Sequence, residues 1–484
     1  MMPSPLSALH DALVCGRLSC TELTAAYLDA AGRDNPRLNA YITLTPGEAM
    51  DTARRVDQKR AAGEPLRPLE GIPMALKDNL STKGIRTTCA SRMLEEYRPV
   101  YDAAAWEILK RENAVLLGKT NMDEFAMGST GETSRFGAAG HPSAPGYVPG
   151  GSSSGTASAV GGCLAAYGLG TDTGGSVRLP AAFCGLTGLK PTYGAVPRTG
   201  LIAYASSLDV IGPLTVTAAD AALVFDAIAV PDDRDATCTG RRGPSASASL
   251  GRDLRGRRIG LLSASLDGLE LEVERALEQA AAVFRGMGAE TVERSLPDLA
   301  PALSAYYILA SAEASSNLAR YDGIRTGPVP ADGGIRRARS EGFGREVQRR
   351  ILLGTYVLSA GYADAYYKRA QTLRRWLVRW FEDVFSSCDL LLMPTAPSTA
   401  FPCGCSAMNP ADLYRTDLCT APASLAGLPA LSVPCGFDKK GLPIGMQLIG
   451  PAFSEALLLN AAHRFERETD GAFLCTRAIQ GVTI

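Results

Sequence analysis

Short apolar runs alternate along this chain with longer stretches in which apolar residues return every three or four positions. Leu23, Ala26, Tyr27 and Ala30 recur at helical spacing behind Ser19-Cys20-Thr21-Glu22. That tetrad is a capping box, in which the serine and glutamate side chains each satisfy a free amide at a helix start. Residues 4–33 therefore read as two short helices. Residues 38–44 alternate as a strand does, and residues 46–62 read as a charged helix. Gly71 to Leu76 (GIPMAL) is a short apolar run that delivers Lys77 at its end. A helix over 102–112 and a buried strand over 114–117 follow. Beyond residue 255, strands are expected at 258–262, 390–393, 431–433 and 446–449. Helices are expected at 270–287, 345–386 and 454–468. This alternation predicts an α/β fold, with a mixed central β-sheet covered by helices on both faces.

Composition narrows the classes. The chain has 484 residues, 46% of them hydrophobic, enough to bury a large core. Its net charge of −1 advertises no bare nucleic acid or anionic membrane as partner. No apolar run is long enough to span a bilayer, and MMPSPLSALHDALVCGRLSC does not read as a signal peptide. The 12 scattered cysteines read as thiols rather than a disulfide framework. Cys403 and Cys405 form a C-x-C without a second pair, too few ligands for tetrahedral zinc. Three histidines, His10, His141 and His463, leave little scope for a histidine-based nucleophile.

Two loops invite a phosphate reading and fail it. AVLLGKT (residues 114–120) lacks the earlier glycine of a Walker loop, and Val-Leu-Leu before Gly118 reads as a strand. GLGTDTGG, from Gly168, misses the dinucleotide spacing.

The informative stretch is GGSSSGTASAVGGCLAAYGLGTDTGGSVRLP, from Gly150 to Pro180. A linker would stay polar. Here residues 157–169 are rich in alanine and read as a tightly packed small-residue helix between two Gly/Ser clusters. Gly174-Gly175-Ser176 lets the backbone turn sharply and gather N–H groups at one spot, as an oxyanion hole requires. Ser176 is then the candidate nucleophile. It needs a base, and a lysine buried enough to lose its proton supplies one. Lys77, behind GIPMAL, is the candidate.

GIPMALKDN, PGGSSSGTASA and GLGTDTGGSVRLPAAFCGLTGLKPTYG, in this order, resemble the amidase signature family. The two serines stand 24 residues apart with Lys77 upstream. The resemblance implies a Ser-cisSer-Lys triad of Ser176, Ser152 and Lys77. Ser152 passes the proton of Ser176 to neutral Lys77, and the backbone of Thr173, Gly174, Gly175 and Ser176 forms the oxyanion hole. One departure is Ser154, where the family usually has glycine. The family's single domain would run over 1–484: an N-terminal helical segment to 65, the catalytic motifs over 66–230, a polar surface excursion at 231–254, and the remainder with the substrate-recognition segments over 255–484.

Within the family, LGKTNMDEFAMGST, SSLDVIGPLT, GFGREVQRRILLGTY and YRTDLCTAPASLAGLPALSVPCG resemble the glutaminase subunits of tRNA-dependent amidotransferases. The likeness covers nearly the whole chain. It implies glutamine as substrate, hydrolysed to glutamate and ammonia, with ammonia passed to a partner that amidates Glu-tRNA(Gln) or Asp-tRNA(Asn). It implies partner subunits B and C in a heterotrimer, tRNA held mainly by the partner, ATP and Mg used there, no cofactor or metal in this chain, and a cytoplasmic location. An α-amino acid needs a cation for its carboxylate and an anion for its ammonium. By motif position those are Arg350 and Asp417, with Tyr306 and Ser129 lining the same pocket. The choices between Tyr306 and Tyr307 and between Arg350 and Arg349 stay open. So does a plainer role for each, such as helix capping by Asp417. A stand-alone amidase and a non-catalytic scaffold are the competing readings.

Overall fold

The computed structural model describes all residues except 1–4, 242, 263–267, 296–297, 329–333, 405–408, 410–412 and 476–484. Among the described residues one sheet of eleven strands runs through the molecule. The first half of the chain supplies β1 (Tyr41–Leu44), β2 (Pro73–Lys77), β3 (Val115–Thr120), β4 (Tyr167–Asp172), β5 (Thr187–Lys190) and β6 (Val210–Thr215). The second half supplies β7 (Arg258–Leu261), β8 (Glu290–Glu293), β9 (Leu390–Pro394), β10 (Ala430–Phe437) and β11 (Pro443–Ile449). Their order is β1-β3-β2-β4-β6-β5-β10-β11-β9-β7-β8. The sheet is mixed: β3, β2 and β4 are parallel, β7 is parallel to β8 and β9, and the other pairs are antiparallel. Every residue of β2 to β6, β9 and β11 is buried, so helices and loops cover both faces.

The parallel trio positions the site. β2 ends on Lys77, with Leu76 opposite Leu169 of β4. β3 ends beside it, with Thr120 opposite Lys77. The loops that leave β3 and β4 therefore emerge at the same edge as Lys77, where ligands bind in open α/β sheets.

Several elements differ from the sequence reading. The second helix runs on from Cys20 to Leu38, with Pro36 inside its last turn; its capping box is made in full by Ser19 and Glu22. The small-residue helix is Ser154–Gly161, and Tyr167–Asp172 is the strand β4, which takes in the last residues of the run read as helix over 157–169. Gly161-Gly162 ends that helix, since glycine gains least from helical order. Residues 345–386 are not one helix: Arg345–Leu358 and Lys368–Ser387 are separated by a break at Ser359. Gly118-Lys119-Thr120 lies inside β3, and Lys119 is buried against Asp78 at 3.3 Å, which disposes of the phosphate-loop reading. No described helix is long and apolar enough to cross a membrane. No disulfide joins the described cysteines, and Cys405 of the C-x-C lies outside the described residues.

Candidate active site

Lys77 is fully buried, and its ammonium nitrogen is ringed by uncharged oxygens. Nζ lies 2.8 Å from Ser152 Oγ, 2.9 Å from Ser153 Oγ, 2.9 Å from Thr171 Oγ1 and 3.3 Å from the Thr171 carbonyl. Asn79 Nδ2 donates to Thr171 Oγ1 and fixes that hydroxyl in turn. Burial brings the pKa of the Lys77 ammonium down to about 7, against the pull of Asp123, Asp172 and Asp209. A base that sheds its proton near neutrality is what the site needs. Ser152 follows a cis peptide bond from Gly151 and precedes the small-residue helix. Ser154 occupies the first turn of that helix, which forms despite the absence of glycine there.

Ser176 lies on the loop between β4 and the helix Arg178–Cys184 and keeps 8% of its surface exposed, whereas Lys77 and Ser152 expose none. Its carbonyl accepts from Ser153 N at 3.1 Å, which ties the two serine segments together. The backbone amides of Thr173, Gly174, Gly175 and Ser176 donate to no protein acceptor among the described residues, so they are available to a developing oxyanion. The loop is clamped from behind. Asp172 accepts from the amides of Val177 and Arg178 and forms a buried ion pair with Arg178 at 2.9 Å. Arg178 also reaches Thr420 O, Gln447 Oε1 and Ser424 Oγ. His141, the histidine nearest in sequence, is occupied by Phe183 O and the amides of Ser143 and Ala144. It is a structural group, apart from this cluster.

The residues expected to recognise the substrate converge beside the Ser176 loop. Thr420 Oγ1 donates to Gly174 O at 2.5 Å, and Thr420 stands three residues beyond Asp417. Asp417 is buried and accepts from Tyr307 OH at 2.6 Å and from Ser129 Oγ at 3.0 and 3.1 Å. Burial raises its pKa to about 6, and these two hydroxyls work against the rise. Among the described residues its side chain caps no helix. Tyr307 stacks on Tyr414 with centroids 4.0 Å apart. Tyr306 instead packs on the Ser176 loop: a Cβ at Gly174 would fall 2.3 Å from Tyr306 Cζ, so only glycine fits there. Both tyrosines thus face the site, and the one bonded to Asp417 is Tyr307.

Arg350 is 3% exposed, while the side chain of Arg349 is 47% exposed, so Arg350 is the inward member of the pair. Its Nε donates to Glu346 Oε1 at 2.6 Å and its Nη1 to Tyr204 OH at 2.7 Å. It lies 4.5 Å from the Tyr307 ring centroid and 4.8 Å from that of Tyr414. Tyr414 OH also donates to Glu346, closing the cage. Ser153, Thr171, Asn79, Tyr204, Glu346 and Tyr414 were not anticipated from sequence. Glu346 was findable, because four-residue spacing on a helix predicts its pairing with Arg350. Tyr204 carries no local signal. No cluster of three His, Cys, Asp or Glu residues suited to a metal occurs among the described residues.

Residues 22–459 match the family model described as Amidase. The chain belongs to the amidase family. Among the relatives is the A subunit of the glutamyl-tRNA(Gln) amidotransferase of Synechococcus sp. (strain CC9605), 50% identical over 471 residues and covering 96% of each chain. Among solved amidase-family structures, the A subunit of the glutamyl-tRNA(Gln) amidotransferase of Thermotoga maritima is 38% identical, with a TM-score of 0.77 over 94% of this chain and 92% of that one. The peptide amidase of Stenotrophomonas maltophilia is 34% identical, with a TM-score of 0.83 over 96% of each.

Proposed function

We propose that this amidase-family chain is the glutamine-hydrolysing subunit of a tRNA-dependent amidotransferase. The observation that carries the substrate assignment is a buried carboxylate, Asp417, and a buried guanidinium, Arg350, that both lie against Tyr307, with Asp417 three residues from the Thr420 that bonds the Ser176 loop. An α-amino acid brings one charge of each sign out of water, and each is costly unless met by a fixed opposite charge. Asp417 takes the α-ammonium, with Ser129 and Tyr307 holding the carboxylate in place. Arg350 takes the α-carboxylate, and Tyr306 shapes the wall next to the reacting carbonyl.

Ser176 Oγ attacks the side-chain amide carbon. Its proton passes to Ser152, whose own proton passes to neutral Lys77. The amides of Thr173 to Ser176 hold the oxyanion. Collapse breaks the C–N bond, and the leaving nitrogen takes the proton back through Ser152, departing as ammonia. Water then attacks the glutamyl ester on Ser176 by the same relay, releasing glutamate. Ammonia goes to a partner subunit that uses ATP and Mg to activate the carboxyl group carried by tRNA. Subunits B and C complete the assembly, in the cytoplasm. A chain of net charge −1 suits a subunit that leaves the grip on tRNA to its partner.

A second reading, an amidase acting alone on other carboxamides, is favoured by the likeness to the peptide amidase. The test is glutamate release from glutamine by the full chain with its partner subunits, alongside amidation of Glu-tRNA(Gln) and Asp-tRNA(Asn). Glutamate release coupled to tRNA amidation is expected. Hydrolysis of simple amides without glutamine turnover would favour the second reading.

A further inference from the structure

One buried carboxylate touches both the relay and the recognition pocket and has no part in the scheme so far. Asp123, three residues beyond β3, exposes none of its surface. Its N–H donates to Ser152 O at 3.2 Å. Its Oδ1 accepts from Gly131 N at 3.1 Å, Thr133 N at 3.2 Å and Thr133 Oγ1 at 2.9 Å. Oδ2 accepts from Gly131 N at 3.0 Å and faces Gly151, where a Cβ would fall 2.0 Å from it. The carboxylate therefore lies against the peptide that carries Ser152 and holds the loop that places Ser129 on Asp417. Surrounded by donors, it is suited to remain ionised; burial pushes its pKa up, and the bonds from Thr133 and Gly131 together with Lys77 pull it back.

Lys77 supplies the reason for a charge at this place. Once it takes the relay proton it is an ammonium whose hydrogen-bond partners are all uncharged. Such an ion out of water needs a compensating charge. The ionisable groups facing it are Asp123 from the loop after β3, Asp172 from the end of β4, Asp209 from the approach to β6, and the Cys89 thiol. Asp172 is already balanced by Arg178. Asp209, like Asp123, meets only neutral donors, but these are Thr173 Oγ1 and the amides of Tyr204 and Ala205, so it lies against the Ser176 loop and not against the peptide that carries Ser152. Asp123 has no cationic side chain of its own at ion-pair distance among the described residues.

We propose that Asp123 is a positioning residue with two roles: it is the counter-charge for protonated Lys77, and it anchors the Ser129 loop to the Ser152 peptide, coupling recognition to the relay. This rests on the reading of Lys77 as the base. Asp123→Asn largely separates the two roles: an amide oxygen in place of Oδ1 keeps the bonds from Gly131 N, Thr133 N and Thr133 Oγ1, while the charge and the second acceptor for Gly131 N at Oδ2 are lost. Thr133→Val loosens the anchor and keeps the charge.

The experiment measures kcat, KM and the pH profile for glutamine and for propionamide, with the full chain and its partner subunits. Removing the counter-charge makes the Lys77 ammonium less stable. In Asp123→Asn the acidic limb should therefore move to lower pH on both substrates, and kcat should fall roughly tenfold, as expected for one pK unit. Thr133→Val should raise KM for glutamine and leave the acidic limb in place. A folded Asp123→Asn with wild-type kcat and an unmoved limb overturns the counter-charge. Asp123→Ser is the second uncharged variant. Failure of both to fold also overturns it, since Asp123 would then serve the fold. An unchanged glutamine KM in Thr133→Val removes the anchor. Turnover of propionamide without glutamine would sink the glutaminase reading, while the propionamide profiles would still decide the role of Asp123.

Discussion

Lysine in water gives up its proton near pH 10.4, and burial brings the pKa of Lys77 down to about 7. Arginine cannot follow it there, since a guanidinium keeps its proton at any pH a protein survives. Lys77→Arg is therefore expected to be as inactive as Ser176→Ala, with both variants folded; glutaminase assays beside thermal melts check this. Activity in the arginine variant would remove Lys77 from the base role. The pH dependence follows with a definite sign. Neutral Lys77 is the active form, so kcat/KM for an uncharged amide should rise through a single ionisation near 7. Asp417, lifted by burial to about 6, must be ionised to attract an ammonium. Glutamine should therefore show a second, lower ionisation on the acidic side, where falling pH protonates Asp417 and raises KM. Identical profiles for the two substrates would place Asp417 outside the binding step. Lys77, Ser152 and Ser176 were legible in sequence because their neighbours form motifs. Ser153 and Thr171 stand in the same motifs, but only folding brings their hydroxyls to the Lys77 amine.

The loop that carries Ser176 owes its shape to elements on either side. Arg178, at the start of the helix Arg178–Cys184, joins Asp172 of β4 to Gln447 of β11 and to the turn around Thr420. Both members of the ion pair are fully buried. Arg178→Met would strand the Asp172 charge, and losing one partner of a buried pair costs about 3–5 kcal/mol. Denaturant unfolding should show a loss of that size, with amide hydrolysis lost as well. A variant of wild-type stability would mean that the pair is not what holds the loop. Sequence periodicity marked most helices and short strands, and it failed where composition misleads. The alanine-rich run over 157–169 reads as one helix and so takes in the first residues of β4, although Gly168 argues against helix there. The place of that strand in the sheet is set by pairing with β2 and β6, and tertiary contacts override propensity. The break that begins at Ser359 did carry a signal, since Gly361 sits in it with φ +85°, but the helical periodicity on both sides outweighed it.

Across the molecule, residues far apart in sequence meet at one sheet edge. Three parallel strands bring Lys77 and the loops holding Asp123 and Ser176 together, while Arg350 and Asp417 arrive on later segments of the second half. An α/β class was readable from the alternation of elements. The strand order, in which β10 and β11 stand between β5 and β9, was not, because strand order depends on long-range pairing that no local pattern encodes. Arg350 and Asp417 were reached through resemblance to known motifs rather than from spacing. Their joint action is the central claim, and the direct measurement is kcat/KM for glutamine and for propionamide in the wild type, Asp417→Asn and Arg350→Met, each with the partner subunits. Losing one member of a desolvated charge pair costs about 2–5 kcal/mol, or roughly one and a half to three and a half orders of magnitude. Each variant should lose that much on glutamine and little on propionamide; equal losses on both substrates, or no loss on either, would contradict a pocket built for a free amino acid.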